Sequence, residues 1–348
     1  MVSKRHPEPW GWRFALNPTL EDVAEAAGVS RATVSRVINA SPRVSSEVKA
    51  AVEAAVETLG YVPNRAARSL VTRRTDSVAL IVRESETRLF SEPFFAGIVR
   101  GAGAILAESG IQMVLSLSRS DEDFTRLARY LTAGHVDGVL LVSTHGQDPL
   151  LRALADADVA TVIGGRALDV DVFSSVDADN VGGASRAVDH LVERGRKSIA
   201  SITGSLDMGV GLDRYSGYTQ GLERAGYLVD ESLVIEGDFT QGGGDAAMER
   251  LLARRPDLDA VFAASDLMAA GALRALARAG RRVPEDVAVV GFDDSPVAEL
   301  TEPPLTSVAQ PIEVMGQRMA GSLLRRINGD RESKRDVLPT ALVIRKSS

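Results

Sequence analysis

The chain has 348 residues, 45% of them apolar and only 5% aromatic, with no cysteine and a formal net charge of −7. This length accommodates two or three compact units with sizeable cores. The lack of cysteine excludes disulfides, thiolate metal sites and cysteine nucleophiles, and it fits a cytoplasmic protein without requiring one. The acidic balance argues against a nucleic-acid partner until it is divided. Residues 1–74 hold 11 Lys/Arg against 7 Asp/Glu, whereas the other 274 hold 29 against 40. A basic head on an acidic body is the asymmetry expected of a DNA reader joined to something else. No apolar run is long enough to span a bilayer, and the N-terminus lacks the apolar segment of a secretory signal.

Residues 1–18 are polar and unpatterned and read as a flexible extension or an overcalled start. The next stretch, TLEDVAEAAGVSRATVSRVIN (19–39), reads as a helix-turn-helix. Thr19 is placed to N-cap a first helix, with Asp22 returning a capping-box contact. Val23, Ala24 and Ala27 form its apolar stripe. Gly28 supplies a turn in which positive φ is cheap for glycine. Ser30 caps a second helix with Val34, Val37 and Ile38 on one face and Arg31, Ala32, Ser35 and Arg36 on the other. A packed side opposite a side carrying two arginines suits a helix that enters the major groove. The competing reading is an ordinary helical hairpin with a solvated basic face. Ser45 or Ser46 then caps a third helix to about Leu59, with Val48, Ala51, Val52, Ala55 and Val56 inward, and Gly60 ends it.

After Tyr61-Val62-Pro63, Asn64 is able to cap a short helix over NRAARSL. Seven residues are too few for a stable isolated helix, so from pattern alone this is either a conditional helix or a basic linker. From Ser77 onward, buried apolar runs (78–82, 112–117, 138–142, 160–164, 198–202, 260–264, 287–292) alternate with amphipathic stretches near 94–109, 121–133, 182–195, 213–225, 242–254, 266–279 and 311–328. Continuous apolar strands separated by helices predict parallel sheets covered on both faces, here enough for two α/β lobes with a cleft between them. Ligands in such sheets bind beyond the carboxyl ends of the strands.

Catalytic signatures are absent. Gly101-Ala-Gly103 lies within a predicted helix, so it is no dinucleotide fingerprint, and no Walker or GxSxG motif occurs. Gly242-Gly243-Gly244 marks a helix start. His6, His135, His145 and His190 show no metal-like spacing, and Asp177, Asp179, Asp293 and Asp294 match no Ca²⁺ loop. No metal, cofactor or enzymatic activity is expected.

The combination of the helix-turn-helix with YVPNRAARSL, EPFFAGIVRGA, FAASDLMAAGALRAL and VAVVGFDDSPVAELTEPPLTSVAQP closely resembles the LacI/GalR family of bacterial transcription regulators, over about residues 19–345. The resemblance implies a small all-α DNA-binding head (19–63), a hinge helix and linker (64–75), and a core (76–348) of two parallel-sheet, Rossmann-like subdomains similar to periplasmic sugar-binding proteins. The first subdomain would hold about 76–179 plus 310–340, the second about 180–308. It also implies a cytoplasmic homodimer on a pseudo-palindromic operator and a small-molecule effector, a sugar or sugar derivative.

Carried over by position, Arg31, Ala32 and Arg36 read bases. Thr19, Ser30, Thr33, Ser35, Asn39, Ser45 and Asn64 contact the DNA backbone, which sets register and carries no sequence information. Ala67, Arg68 and Leu70 form the minor-groove hinge, with Leu70 as an apolar wedge. Effector-binding positions are Glu92, Phe94, Phe95, Arg166, Arg214, Ser265, Asp293 and Gln310. From the residues alone, Arg214 equally suits a surface ion pair, Asp293 a cap and Phe95 the core. Glu92 and Ser265 stand where sugar-binding relatives often carry Asn, and Gly165 where they often carry Asp, so the hydroxyl pattern read here differs; Asp266 reads as a helix cap. The alternative of another class is a solute receptor of a sugar transport system, which would need a signal peptide and no helix-turn-helix.

Overall fold

A computed structural model describes residues 18–38, 44–62, 74–117, 121–146, 148–168 and 171–348. They fall into two units, divided between Thr75 and Asp76. In the first, three helices, α1 (Leu20–Ala26), α2 (Arg31–Ile38) and α3 (Ser46–Leu59), enclose a core of Val23, Ala24, Val34, Val52, Ala55 and Tyr61. Gly28 turns the chain at φ 65° and Gly60 ends α3 at φ 62°. Ser45, not Ser46, is the cap of α3. Ala51, expected inward, is exposed, because Val52, Ala55, Val56 and Leu59 already fill the stripe that faces α1 and α2.

The second unit is built on two six-stranded sheets. The first is wholly parallel and contains β1 (Ser77–Val82), β2 (Gln112–Leu117), β3 (Gly138–Val142), β4 (Thr161–Gly164), β5 (Ser174–Ala178) and β11 (Arg335–Leu338) in the order β11-β5-β4-β3-β1-β2. The second contains β6 (Ile199–Thr203), β7 (Val234–Glu236), β8 (Ala260–Ala263), β9 (Ala288–Asp293), β10 (Thr306–Ala309) and β12 (Ala341–Val343) in the order β12-β10-β9-β8-β6-β7, with β12 antiparallel. The chain passes between the sheets at 179–180, 310–311 and 339–340.

Burial on both faces explains the apolar runs. Val78, Leu80 and Val82 of β1 face one hydrophobic cluster, Ala79 and Ile81 the other. Each such large aliphatic side chain contributes about 1.5–3 kcal/mol by leaving water. The helices that cover the first lobe's inner cluster pack closely through glycine: a Cβ on Gly101, in Pro93–Glu108, would lie 2.0 Å from the Glu313 carbonyl of the helix Ile312–Ile327. That contact gives the Gly101-Ala-Gly103 segment a packing role.

The expected strands and long helices are present within a few residues of their predicted bounds. Five strands lacked an apolar signature. In β5, buried Ser174 and Asp177 replace apolar residues: Ser174 Oγ accepts from the Lys334 amide (3.2 Å) and Asp177 Oδ1 from the Ala178 amide (2.8 Å). Helix Gly209–Arg224 begins earlier than the predicted 213. Close packing selects glycine there, since a Cβ on Gly209 or Gly211 would meet the carbonyls of Arg166 and Ser205 at 2.3 and 2.0 Å.

Candidate functional site

The head presents its polar groups at helix starts and along α2. Thr19 Oγ1 accepts from the Asp22 amide (3.3 Å) and the Thr19 amide donates to Asp22 Oδ2 (2.7 Å), closing the capping box, while the hydroxyl also donates to Asp22 Oδ2 (2.8 Å). Ser30 Oγ accepts from the Thr33 amide (3.2 Å) and lies 2.9 Å from Thr33 Oγ1. Ser45 Oγ accepts from the Val48 amide at 3.4 Å. Arg31, Ala32 and Arg36 are exposed on α2, opposite buried Val34, while Thr33 and Ser35 are half-buried. Arg31 Nε is 3.0 Å from Glu21 Oε1, with the side chains 69% and 62% exposed. An exposed pair of this kind contributes about 0.2–1 kcal/mol, so Arg31 is readily released to a better acceptor. Asn39, Asn64, Ala67, Arg68 and Leu70 lie outside the described residues.

In the larger unit the carboxyl ends of both sheets face a cleft of about 580 Å³, including the part open to solvent. Phe94 and Phe95 pack edge to face (5.4 Å) on the first-lobe side and, with Met208, Phe239 and Met315, give the cleft its apolar surfaces. Its polar centre is Arg214, 3% exposed. Arg214 Nε donates to Asn180 Oδ1 (2.9 Å), Nη1 donates to the Ala264 carbonyl and lies 3.1 Å from Asp293 Oδ1, and Cζ stacks 3.7 Å above Phe292. Gln310 Nε2 donates to the same Asp293 oxygen at 2.7 Å. Asp293, the last residue of β9, sits at φ 106° and Asp294 at φ 50°, a strained turn that aims the first carboxylate into the cleft.

Further charges complete the walls. Arg88 Nε donates to Glu92 Oε2 at 2.9 Å, and Arg166 clamps Asp213 of the opposite lobe through Nη2 (2.6 Å) and Nε (3.2 Å). Burial pushes Glu92 up to about 7 despite Arg88, and Asp177 up to about 6. Burial raises Asp293 as well, against the opposing pull of Arg214 and Gln310. Desolvated carboxyls beside fixed guanidinium groups and flat apolar faces form the combination that polyhydroxylated ligands require: several directional hydrogen bonds with ring faces covered.

Glu92, Phe94, Phe95, Arg166, Arg214, Asp293 and Gln310 all line this cleft. Ser265 does not. It is 1% exposed, and its Oγ caps the helix Asp266–Arg278 by accepting from the Met268 amide at 3.3 Å. Asp266, expected to be that cap, instead accepts from the Ser295 amide (2.6 Å) and the Ser307 hydroxyl, holding the turn that follows Asp293. Sequence reasoning missed Arg88, Asp177 and Asn180 as cleft residues. Arg88 stands four residues before Glu92 on one helical face, a usable signal; Asp177 and Asn180 have none apart from their place at the end of β5. Among the described residues, no group of three or more His, Asp or Glu side chains is arranged to hold a metal ion, and no helix is long and apolar enough to cross a membrane.

A chain with both a helix-turn-helix and a two-lobed ligand cleft is a DNA-binding regulator under small-molecule control. A family model described as bacterial regulatory proteins, lacI family, matches residues 19–64, and one described as a periplasmic binding protein-like domain matches residues 188–348. The HTH-type transcriptional regulator CelR of Thermobifida fusca is 56% identical over 333 residues, 95% of this chain and 98% of that protein. A solved transcriptional regulator CelR–cellobiose complex is 54% identical, with a TM-score of 0.78 over 95% of this chain and 100% of that one. A lac repressor dimer bound to operator and the anti-inducer ONPF is 30% identical, with a TM-score of 0.84 over 95% and 98%. The chain belongs to the LacI family of bacterial transcriptional regulators. Its relatives are regulators rather than enzymes.

Proposed function

We propose that this protein acts in the cytoplasm as a homodimeric repressor on a pseudo-palindromic operator, controlled by cellobiose or a closely related β-linked glucose disaccharide. The observation that carries the ligand assignment is the cleft itself. Phe94 and Phe95 supply apolar faces while Arg88, Arg166, Arg214, Glu92, Asp177, Asp293 and Gln310 surround them with donors and acceptors. The CelR–cellobiose complex, 54% identical across 95% of the chain, supports the choice of sugar.

In this reading residues 19–63 are the DNA-binding domain, 64–75 a hinge and 76–348 the effector core, with 76–179 plus 310–340 in one subdomain and 180–308 in the other. Arg31 and Arg36 read bases, each bidentate arginine–guanine contact contributing about 1–3 kcal/mol of discrimination, and Ala32 makes an apolar contact. Thr19, Ser30, Thr33, Ser35, Asn39, Ser45 and Asn64 position the backbone. Ala67, Arg68 and Leu70 occupy the minor groove at the centre of the site, where an apolar wedge bends the duplex. Closure of the cleft on the sugar changes the state of the hinge and with it operator affinity, a coupling between two sites through a shared two-state element.

Calorimetric titration of the full-length protein with cellobiose, maltose, lactose and glucose tests the ligand. Cellobiose is expected to bind with one site per chain and more tightly than the others. A protein that binds none of the four overturns the assignment.

A further inference from the structure

In the groove that adjoins the cleft at Arg88, His145 joins the two lobes. It lies on the loop after β3, with Nε2 3.0 Å from Glu84 Oε1 of its own lobe and Nδ1 3.0 Å from Asp207 Oδ2 of the other. The adjacent Gly146 amide donates to the Asp207 carbonyl at 2.7 Å, across the same junction. Glu84 also accepts from Ser143 Oγ and from the Arg88 guanidinium, and Arg88 in turn holds Glu92. A continuous string, Asp207–His145–Glu84–Arg88–Glu92, thus runs from the second lobe through the adjoining groove and into the pocket wall.

An imidazole flanked by carboxylates on both nitrogens donates to both only when it is protonated; the neutral ring leaves one carboxylate facing a lone pair. The charged groups around it are Glu84 and Arg88 from the first lobe and Asp207 from the second, with Asp238 across the adjoining groove. The Glu84 hydrogen bond, joined by Asp207, lifts His145 above the ordinary histidine range against partial burial. Burial works to raise both carboxyls, yet their hydrogen-bonding and charged neighbours leave Glu84 and Asp207 below the usual carboxylate range.

We propose that His145 is a positioning residue for effector binding: it clasps the two lobes shut and, through Glu84, fixes the Arg88 guanidinium that lines the pocket. Opening the cleft separates Asp207 from His145 and Gly146, so a ligand that engages Arg88 in the closed form gains the clasp as well. The closed form holds the His145 proton more tightly than the open form. Its advantage is therefore complete below the ordinary histidine pKa and fades as pH rises through the raised one. Glu92 and Asp177 titrate nearby, at about 7 and about 6. The diagnostic quantity is accordingly the difference between the native protein and a variant at each pH.

The clasp does not depend on which sugar binds; its effect on affinity rests on the saccharide reading of the cleft. Hydrogen exchange of peptides containing the Gly146 amide, in the full-length protein without sugar, tests the clasp directly. His145→Gln and Asp207→Asn should each speed exchange about tenfold near pH 6.5, the loss of one charge-assisted hydrogen bond. The double variant should be no worse than either single one, and the gap to the native protein should narrow as pH is raised above about 6.5. Calorimetry with cellobiose should show weaker binding by a similar factor at the lower pH. Independent, additive effects of the two substitutions, or a gap that does not change with pH, would overturn the proposal. If the exchange behaves as expected while cellobiose binds neither native protein nor variant, the clasp stands and the ligand assignment falls.

Discussion

The head and the core hold their proposed recognition groups in opposite ways. In the head, Arg31 and Arg36 stand exposed on a helix fastened by a small core, and the hydroxyls at the helix starts serve the backbone amides beside them. In the core, Arg214 and Asp293 are 3% and 8% exposed and depend on each other, on Asn180 and on Gln310. Recognition groups of the first kind can be changed with little effect on the fold. In the second kind, recognition and stability are carried by the same atoms, because a buried charge without its partner is costly wherever it lies.

The sharpest way to break this contrast is Arg214→Ala. It leaves Asp293 buried without its cation and should destabilise the core by about 3–5 kcal/mol while abolishing sugar binding, as read by denaturant unfolding and calorimetry. Gly209→Ala should have a smaller and more selective effect. Its Cβ would lie 2.3 Å from the Arg166 carbonyl of the facing lobe, so the closed cleft is strained by roughly 1–3 kcal/mol, and affinity for the sugar should drop accordingly. Arg36→Ala should remove about 1–3 kcal/mol of discrimination between operator and a site changed at one guanine, with no change in melting temperature. An even loss across all sequences would make Arg36 a backbone contact.

The subtlest effect is Glu92→Gln. Burial lifts Glu92 to about 7, above the ordinary carboxylate value, so the native protein binds more protons than its unfolded chain between those values and loses stability as pH rises through that window. The stability of the glutamine variant relative to the native protein should therefore rise from pH 5 to pH 8, on the order of 1–3 kcal/mol by thermal unfolding.

The same contrast decides what the amino-acid sequence makes legible. In the head, helical periodicity fixes which side chains share a face, so Val34 inward and Arg31, Ala32 and Arg36 outward follow from local spacing. Capping by Thr19, Ser30 and Ser45 is equally local. In the core, local pattern yields the apolar strands and the expectation of a cleft but not the residues that line it, which meet only because the carboxyl ends of β4, β5, β9 and β10 converge. Gln310 and Asp293 are 17 residues apart and Arg214 and Asn180 are 34 apart. Motif resemblance supplied several of these positions. It failed at Ser265, where the hydroxyl serves a helix cap, and it gave no notice of Asp177, whose strand hides polar residues among hydrogen bonds. Short strands such as β7, β11 and β12 take their structure from neighbours in the sheet, a nonlocal cause that composition does not record.

In the reading proposed above, a sugar held in the cleft governs the head's grip on DNA. This coupling is tested most directly by measuring operator affinity of the full-length protein by fluorescence anisotropy, with and without saturating cellobiose, at one fixed salt concentration. A shift of about tenfold or more is expected, together with the reciprocal shift in cellobiose affinity when operator is present. Cellobiose that binds the cleft yet leaves operator affinity unchanged would contradict it.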